Sequence, residues 1–424
     1  MSLPAPRENP VRFLRTLYDI AVNRAQPDKL IAQHLPPAPA GRTVVIGAGK
    51  SAAAMAAALE SAWHGPLEGV VVTRYGHAVP TVRIKVMEAA HPVADEAGMA
   101  ASRAILKSLE GLTADDLVIA LISGGGSALM FAPLPGVSFA TKQAIGKALL
   151  RSGASIAEIN CVRKHLSAVK GGRLLKAAAP ARVLTLAISD VVGDDPGTIA
   201  SGPTVPDRTT QEDARAILEK YSIGVPAEAR KILADPKFES PKPSELKDAR
   251  AEYRIIASPA QSLAAAAEAA RDAGVDVIDL GDAIEGEASR FGEELAKKAG
   301  DLAANQMGKP VLLLSGGELT VTVRNPEGRG GRNTECALAF LAASRGRAGL
   351  YGLFADTDGI DGSEDNAGAI VTPALFAAAE QERIDPLALL RQNRSWDFFD
   401  AVGGLLVTGP TRTNVNDFRA VLLV

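Results

Sequence analysis

Five segments place glycines, serines, carboxylates and single cations where they could handle an anion. Gly47-Ala48-Gly49-Lys50-Ser51 follows the apolar run TVVI and precedes an alanine-rich stretch. Backbone N–H groups and a helix start would there face a negative group, and Lys50 adds a point charge. Ser123-Gly124-Gly125-Gly126-Ser127 follows LVIALI. Three successive glycines cost backbone entropy, and a cradle of N–H groups for phosphate is a reason to keep them. Ser189-Asp190, with Asp194 and Asp195, collects the hard oxygen ligands and proton acceptors that Mg²⁺-dependent phosphoryl transfer uses. Ser315-Gly316-Gly317-Glu318 repeats the strand-then-Ser-Gly-Gly arrangement, with Glu318 as a further candidate metal ligand, and Arg329-Gly330-Gly331-Arg332-Asn333 follows. An arginine at a helix start is unfavourable unless an anion shares the place, so Arg332 could clamp a carboxylate or phosphate. Asp356-Thr357-Asp358-Gly359-Ile360-Asp361-Gly362 closes another strand with an acidic loop suited to a substrate hydroxyl or a metal.

Each segment also has an ordinary reading as a tight turn, a helix cap or a solvated arginine. Several sharper motifs are excluded. A Walker A loop needs a glycine where Val44 stands. Gly47, Gly49 and Ala52 satisfy G-x-G-x-x-A, but Arg74 occupies the place of the acidic residue that would bind a dinucleotide ribose. The loop at 356–362 misplaces the EF-hand glycine and lacks its closing glutamate. His34, His64, His77, His91 and His165 show no zinc spacing, and no G-x-S-x-G elbow occurs.

The elements that must position these loops alternate short β-branched runs with Ala/Leu-rich stretches of helical length, which specifies an α/β fold of mostly parallel sheets. Strands are expected at 43–46, 70–72, 84–86, 117–122 and 183–188. The pattern restarts at 254–257 and continues at 275–280, 311–314 and 351–354. Helices are expected near 51–62, 95–110 (Ala101, Ile105 and Leu109 on one face), across 138–176, at 259–273, over 286–304 and after Arg332. Thr209 and Glu212 stand in capping-box spacing. Residues 222–250, rich in proline, lysine and acids, read as a surface linker, so two Rossmann-like domains are drawn at 1–240 and 241–424. Ligands of such sheets bind beyond the carboxyl ends of strands, where all five segments lie.

The 424 residues suffice for two or three domains, and 47% hydrophobic with 22% charged residues is a globular composition. A formal charge of −3 and 4% aromatics argue against nucleic acid or an anionic membrane as partner. Two cysteines exclude a disulfide framework, and neither a leader nor a membrane span is evident, so a cytoplasmic protein is expected. Oligomeric state stays open, a homo-oligomer included.

Taken together, VVIGAGKSA at 44–52, HPVADEAG at 91–98, SGGGSALM at 123–130, SDVVGDDPGTIASGPTVPD at 189–207, SGGELTVTV at 315–323, GRGGRNTE at 328–335, DTDGIDG at 356–362 and TGPTRTNVND at 408–417 resemble the glycerate 2-kinase family. This is the group with a C-terminal MOFRL domain whose members are also labelled hydroxypyruvate reductases. The resemblance implies two α/β domains closing around an active-site cleft and ATP-dependent phosphorylation of D-glycerate to 2-phosphoglycerate. Lys50 and Arg332 match the family's active-site Lys and Arg, whereas Arg329, Thr334 and Arg412 depart from its pattern of Lys, Gln and Gly. On this reading the 123–127 loop holds nucleotide phosphates and Lys50 neutralises the transferring phosphoryl group. Arg332 grips the acid, and Asp190 is the base at the C2 hydroxyl. A nicotinamide-dependent hydroxypyruvate reductase and a sugar-acid sensor are the alternatives.

Overall fold

The β-branched runs of the first half pair into one six-stranded sheet. Its strands are β1 (Thr43–Ala48), β2 (Glu68–Arg74), β3 (Ile84–Ala89), β4 (Leu117–Ser123), β5 (Arg182–Ile188) and β6 (Ala251–Ala257), in the order β3-β2-β1-β4-β5-β6. The pairings from β3 through β5 are parallel. Strands β1 and β4 are buried along their whole length, which is why they read as unbroken apolar runs. The chain builds from β1 outward through β2 and β3, then returns to lay β4 and β5 on the other side. The carboxyl ends of β1 and β4 therefore flank a topological switch point, the usual place for a ligand. In this computed structural model, residues 3–305 and 308–424 are described.

Local signals explain the surrounding helices. Asp95 accepts the Gly98 N–H at 3.0 Å to start helix Glu96–Ser108, which buries Ala101 and Ile105 as the four-residue spacing requires. The capping box falls one residue later than expected, at Thr210 and Asp213, because Thr209 donates its hydroxyl to Asp207 at 2.9 Å.

The second half contains β7 (Asp276–Asp279), β8 (Glu285–Glu287), β9 (Val311–Ser315), β10 (Glu318–Thr320), β11 (Leu350–Asp356), β12 (Gly368–Val371), β13 (Leu405–Leu406) and β14 (Asp417–Leu423). Six of them form a sheet in the order β13-β12-β11-β14-β9-β7, and β10 pairs with β8. The expected α/β class with mostly parallel pairing holds for the molecule, and the antiparallel pairings described all fall in this second sheet. Two of them arise because β14 enters between β11 and β9, running against both, and the others join β12 to β11 and to β13. No strand is expected at 417–423 from the sequence. Buried on both faces, FRAVLL carries no alternation to reveal it.

The division into units differs from the boundary drawn at 240. One unit is Pro27–Ile256, and the other joins Ala257–Val424 to the residues before Pro27. The presumed linker is folded into the first unit: Ala229, Ile232 and Leu233 of helix Ala227–Ala234 pack in a cluster with Leu149, Val162 and Leu218. The helix Pro10–Arg24, started by Asn9 and Pro10, packs Phe13, Leu14 and Leu17 with Leu263, Ala266 and Phe418 of the second unit. Phe13→Ala is expected to cost about 3–5 kcal/mol, the usual loss for a fully buried phenylalanine. Denaturant unfolding of that unit's transition checks it, and a loss below about 1 kcal/mol would detach the helix from this core. No helix among the described residues is long and apolar enough to cross a membrane.

Candidate functional site

At the carboxyl ends of β1 and β4 the first two glycine loops interlock. A Cβ on Gly47 would come within 2.5 Å of the Leu121 carbonyl, and one on Gly49, at φ +139°, within 2.1 Å of Ser123 Oγ. The N–H groups of Gly49, Lys50 and Ser51 donate to Val72 O (3.1 Å), Gly124 O (2.8 Å) and Ser123 Oγ (3.0 Å). Gly47 and Gly49 thus let two strands approach, and three N–H groups expected to face an anion are engaged within the chain. Ser123 and Gly124 take part as acceptors in the same lock.

The second loop does more to assemble chemistry. Gly125 lies at φ +78°, and a Cβ there would stand 3.0 Å from His91 Nε2 and 3.4 Å from Lys50 Cγ. The bare glycine brings Lys50 and His91 to one point beside the loop. A Cβ on Gly126 would meet Ala48 O and Ala200 Cβ, both at 2.9 Å. Ser201 Oγ donates to Asn160 Oδ1 (3.0 Å), so Ser127, 2.8 Å away, donates to Ser201. Lys170 Nζ pins the loop by donating to Ser127 O (2.7 Å) and Met130 O (3.0 Å). Ala200 and Ser201 both hold positive φ, a strained conformation for residues with a Cβ that clusters at functional sites. His91, Lys170, Asn160 and Ser201 were not expected from the sequence. Only HPVADEAG, following a strand, hinted at the first.

After β5, Asp190 is half-buried and Asp195 is a turn residue, accepting from Gly197 N (3.3 Å) and Thr198 Oγ1 (2.6 Å). Asp194, at φ +55°, keeps a buried Oδ1 without a hydrogen-bond partner. Burial, together with the charges of Asp195, Asp190 and Asp194, pushes the Tyr253 hydroxyl well above its ordinary pKa.

In the second unit the expected anion at the start of helix Arg332–Ser344 comes from the protein. Asp361 accepts the N–H groups of Asn333 (2.9 Å) and Thr334 (2.8 Å), capping the helix from the acidic loop. Arg332 donates to Asp417 (2.9 and 3.1 Å), Asp356 (2.7 Å) and Glu318 (3.0 Å). Burial works against its charge, but Asp417, Asp356 and Glu318 outweigh that and hold it well above even the usual arginine range. Asp417 also accepts from Asn333 Nδ2 and Arg419 Nη1, both at 2.8 Å. Arg329 lies 3.6 Å over the Trp396 ring, between Glu364 and Asp397.

Ser315, Gly316 and Gly317 are buried against 281–284, with the Gly316 N–H on Gly281 O and the Glu318 N–H on Ile284 O, both at 2.9 Å. Gly317, at φ +89°, has no room for a side chain beside Ile284. The Gly316 and Glu318 N–H groups are thus engaged within the chain. Asp194 and Glu318, the expected metal ligands, lie in different units, and Glu318 pairs with Arg332. Among the described residues no group of three or more acidic, histidine or cysteine side chains could hold a metal.

One carboxylate beside Arg332 went unnoticed in the sequence. Glu335 is 2% exposed, one helical turn on, with Asn393 Nδ2 at 3.3 Å. Burial and then the charge of Glu287 push it up to about 7. A raised folded pKa contributes stability below the ordinary value near 4.5 and loses it as pH rises through about 7. Glu335→Gln is therefore expected to raise the melting temperature near pH 8 and leave it unchanged near pH 4.5. Thermal melts at the two pH values test this, and a destabilised variant at pH 8 contradicts it.

The comparisons agree along the whole chain. Residues 13–234 match a family model described as a domain of unknown function, DUF4147, and residues 311–417 match the MOFRL family. A putative hydroxypyruvate reductase of Agrobacterium vitis is 51% identical over 97% of this chain and 94% of its own length. The D-glycerate 2-kinase of Thermotoga maritima is 39% identical over 94% of each. A crystal structure of glycerate kinase from the same organism superposes with a TM-score of 0.86 at 37% identity, covering 96% of this chain and 98% of that one. With eight motifs in order, both domain models and a full-length structural match, the chain belongs to the glycerate 2-kinase family that carries a MOFRL domain, a family whose members also bear the hydroxypyruvate reductase name.

Proposed function

We propose that this chain is an ATP-dependent kinase that phosphorylates D-glycerate at the 2-hydroxyl, giving 2-phosphoglycerate. The observation that carries the reading is the meeting of Lys50, His91 and the Ser123–Ser127 loop at the switch point of the first sheet, in a chain 39% identical to a D-glycerate 2-kinase. Phosphoryl transfer needs positioning and charge neutralisation more than covalent chemistry, and these residues supply both. Gly125, Gly126 and Ser127 line the place for the phosphates, with Lys50 on the transferring group and Asp190 taking the proton of the C2 hydroxyl. In the second unit Arg332 can take an anionic carboxylate by exchanging Glu318, the partner whose side chain is 54% exposed, while Asp356 and Asp417 keep the fork aimed.

Mg²⁺ on a nucleotide needs only one or two protein carboxylates, because phosphates and waters complete its shell. Asp194, with its unpartnered buried oxygen, fits that demand, with Asp190 beside it in sequence. Glu318 does not fit, being held by Arg332. When bound, the ion neutralises phosphate charge.

The reductase reading draws on the name of the relative at 51% identity. Against it, the G-x-G-x-x-A loop has its Gly49, Lys50 and Ser51 N–H groups committed to neighbouring strands and loops, so they are not open to a dinucleotide pyrophosphate. A coupled ADP-release assay with D-glycerate, L-glycerate, tartronate and hydroxypyruvate decides. ADP release with D-glycerate and a 2-phospho product is expected. NADPH oxidation by hydroxypyruvate without ADP release overturns the kinase, and a 3-phospho product overturns the regiochemistry.

A further inference from the structure

The first unit contains a cavity that none of the expected site residues except Ser127 touches. It opens beside the glycine loop, between the segment after β3 (Pro92–Ala94), the segment after β4 (Ser127–Phe131) and the helices Phe139–Arg151 and Ile156–His165. Its walls are largely apolar, with Phe131, Ile145, Leu149 and Val162 inside and the exposed Val93 and Leu150 at its edges.

Four cations, Lys142, Lys147, Arg163 and Lys170, line this apolar space without a carboxylate among the lining residues. Lys142 is 4% exposed, donates to Ala132 O at 2.9 Å and lies 4.5 Å from the centre of the Phe131 ring. Lys170 is 1% exposed and is held by two carbonyls of the loop. Arg163 is half-buried, and its guanidinium makes no hydrogen bond or ion pair among the described residues. Burial depresses both lysines, helped by the charge of Lys170 on Lys142 and of Arg163 on Lys170, the latter lysine falling to about 7. Gathering cations where nothing neutralises them is costly unless an anion completes the site.

Gly146 supplies an independent sign. It sits inside helix Phe139–Arg151, where glycine costs about 1 kcal/mol relative to alanine. A Cβ there would meet nothing within 4 Å, so packing gives no reason for it. It lines the cavity and keeps the wall flat for something absent from the protein itself.

The geometry points to this cavity as the seat of the nucleotide: the purine lies against Phe131 over Gly146, and the phosphates run past Arg163 and Lys170 to Ser127. A three-carbon hydroxy acid would gain little from so apolar a wall, whereas a planar heteroaromatic ring with a polyanionic arm matches both halves. This rests on the kinase reading, and its test is binding, which needs no turnover. Gly146→Leu should weaken ADP binding measured by calorimetry by about tenfold or more, since even one methylene misplaced in a pocket has an effect of that size. It should raise the KM for ATP similarly and leave the KM for D-glycerate within about twofold. Gly146→Ala serves as fold control and should melt at or above the wild-type temperature. Should the leucine variant not fold, Arg163→Gln decides, with weaker ADP binding expected. Unchanged ADP affinity, or a rise confined to the KM for D-glycerate, overturns the assignment. Absence of ADP release by the wild type, with ADP binding still lost in Gly146→Leu, would sink the kinase reading and leave the nucleotide seat standing.

Discussion

Lys50→Ala is expected to lower the turnover of glycerate phosphorylation by about 10²-fold or more, the scale of losing one major electrostatic stabiliser of a transition state. The fold should survive, because two backbone bonds hold residue 50 whatever its side chain. Its N–H donates to Gly124 O at 2.8 Å and its carbonyl accepts from Thr73 Oγ1 at 3.2 Å, and neither bond needs the side chain. The loss should appear in kcat more than in the KM for D-glycerate, since charge on the transferring group develops in the transition state. Steady-state kinetics with circular dichroism as the fold check measure it. Near wild-type turnover would remove Lys50 from the mechanism.

Arg332→Ala should do different damage. Asp417 and Asp356 have side chains 0% and 4% exposed, so deleting the guanidinium strands buried carboxylates, a change that typically costs about 3–5 kcal/mol. Arg332→Lys keeps the charge and loses the planar fork that engages three carboxylates at once. It should recover part of the stability and less of the activity. Denaturant unfolding between about pH 4 and 8 measures the first and the ADP-release assay the second. A variant within about 1 kcal/mol of wild type at every pH would show that Arg332 does not organise this cluster.

Both effects show where a residue's neighbourhood, more than its type, sets its role. Arg332 was legible as a cation at a helix start in need of an anion. The anions that answer are Asp361 for the helix and Glu318, Asp356 and Asp417 for the guanidinium, up to 85 residues away in sequence. The same holds for the glycines. That Gly47, Gly49, Gly316 and Gly317 stand at strand ends was readable from their order. That their function is to admit Leu121, Ser123 and Ile284 depends on which strand or loop lies alongside. Glu335 and Lys170 carry no motif, and their ionisation is shifted by burial that only packing creates.

By itself the sequence determined the α/β class, most of the strand positions, which glycine loops follow buried strands and, through eight ordered motifs, the family. These follow from hydrophobic period and from the short-range rule that a glycine turn after a buried strand lies at the strand's carboxyl end. Tertiary structure alone decided that residues 10–24 pack with the second unit, that β14 enters its sheet against its neighbours, and which N–H groups and charges are already paired. The physical reason is range: backbone preference acts over a few residues, whereas hydrogen-bond partners and desolvation are set by groups that only folding brings together.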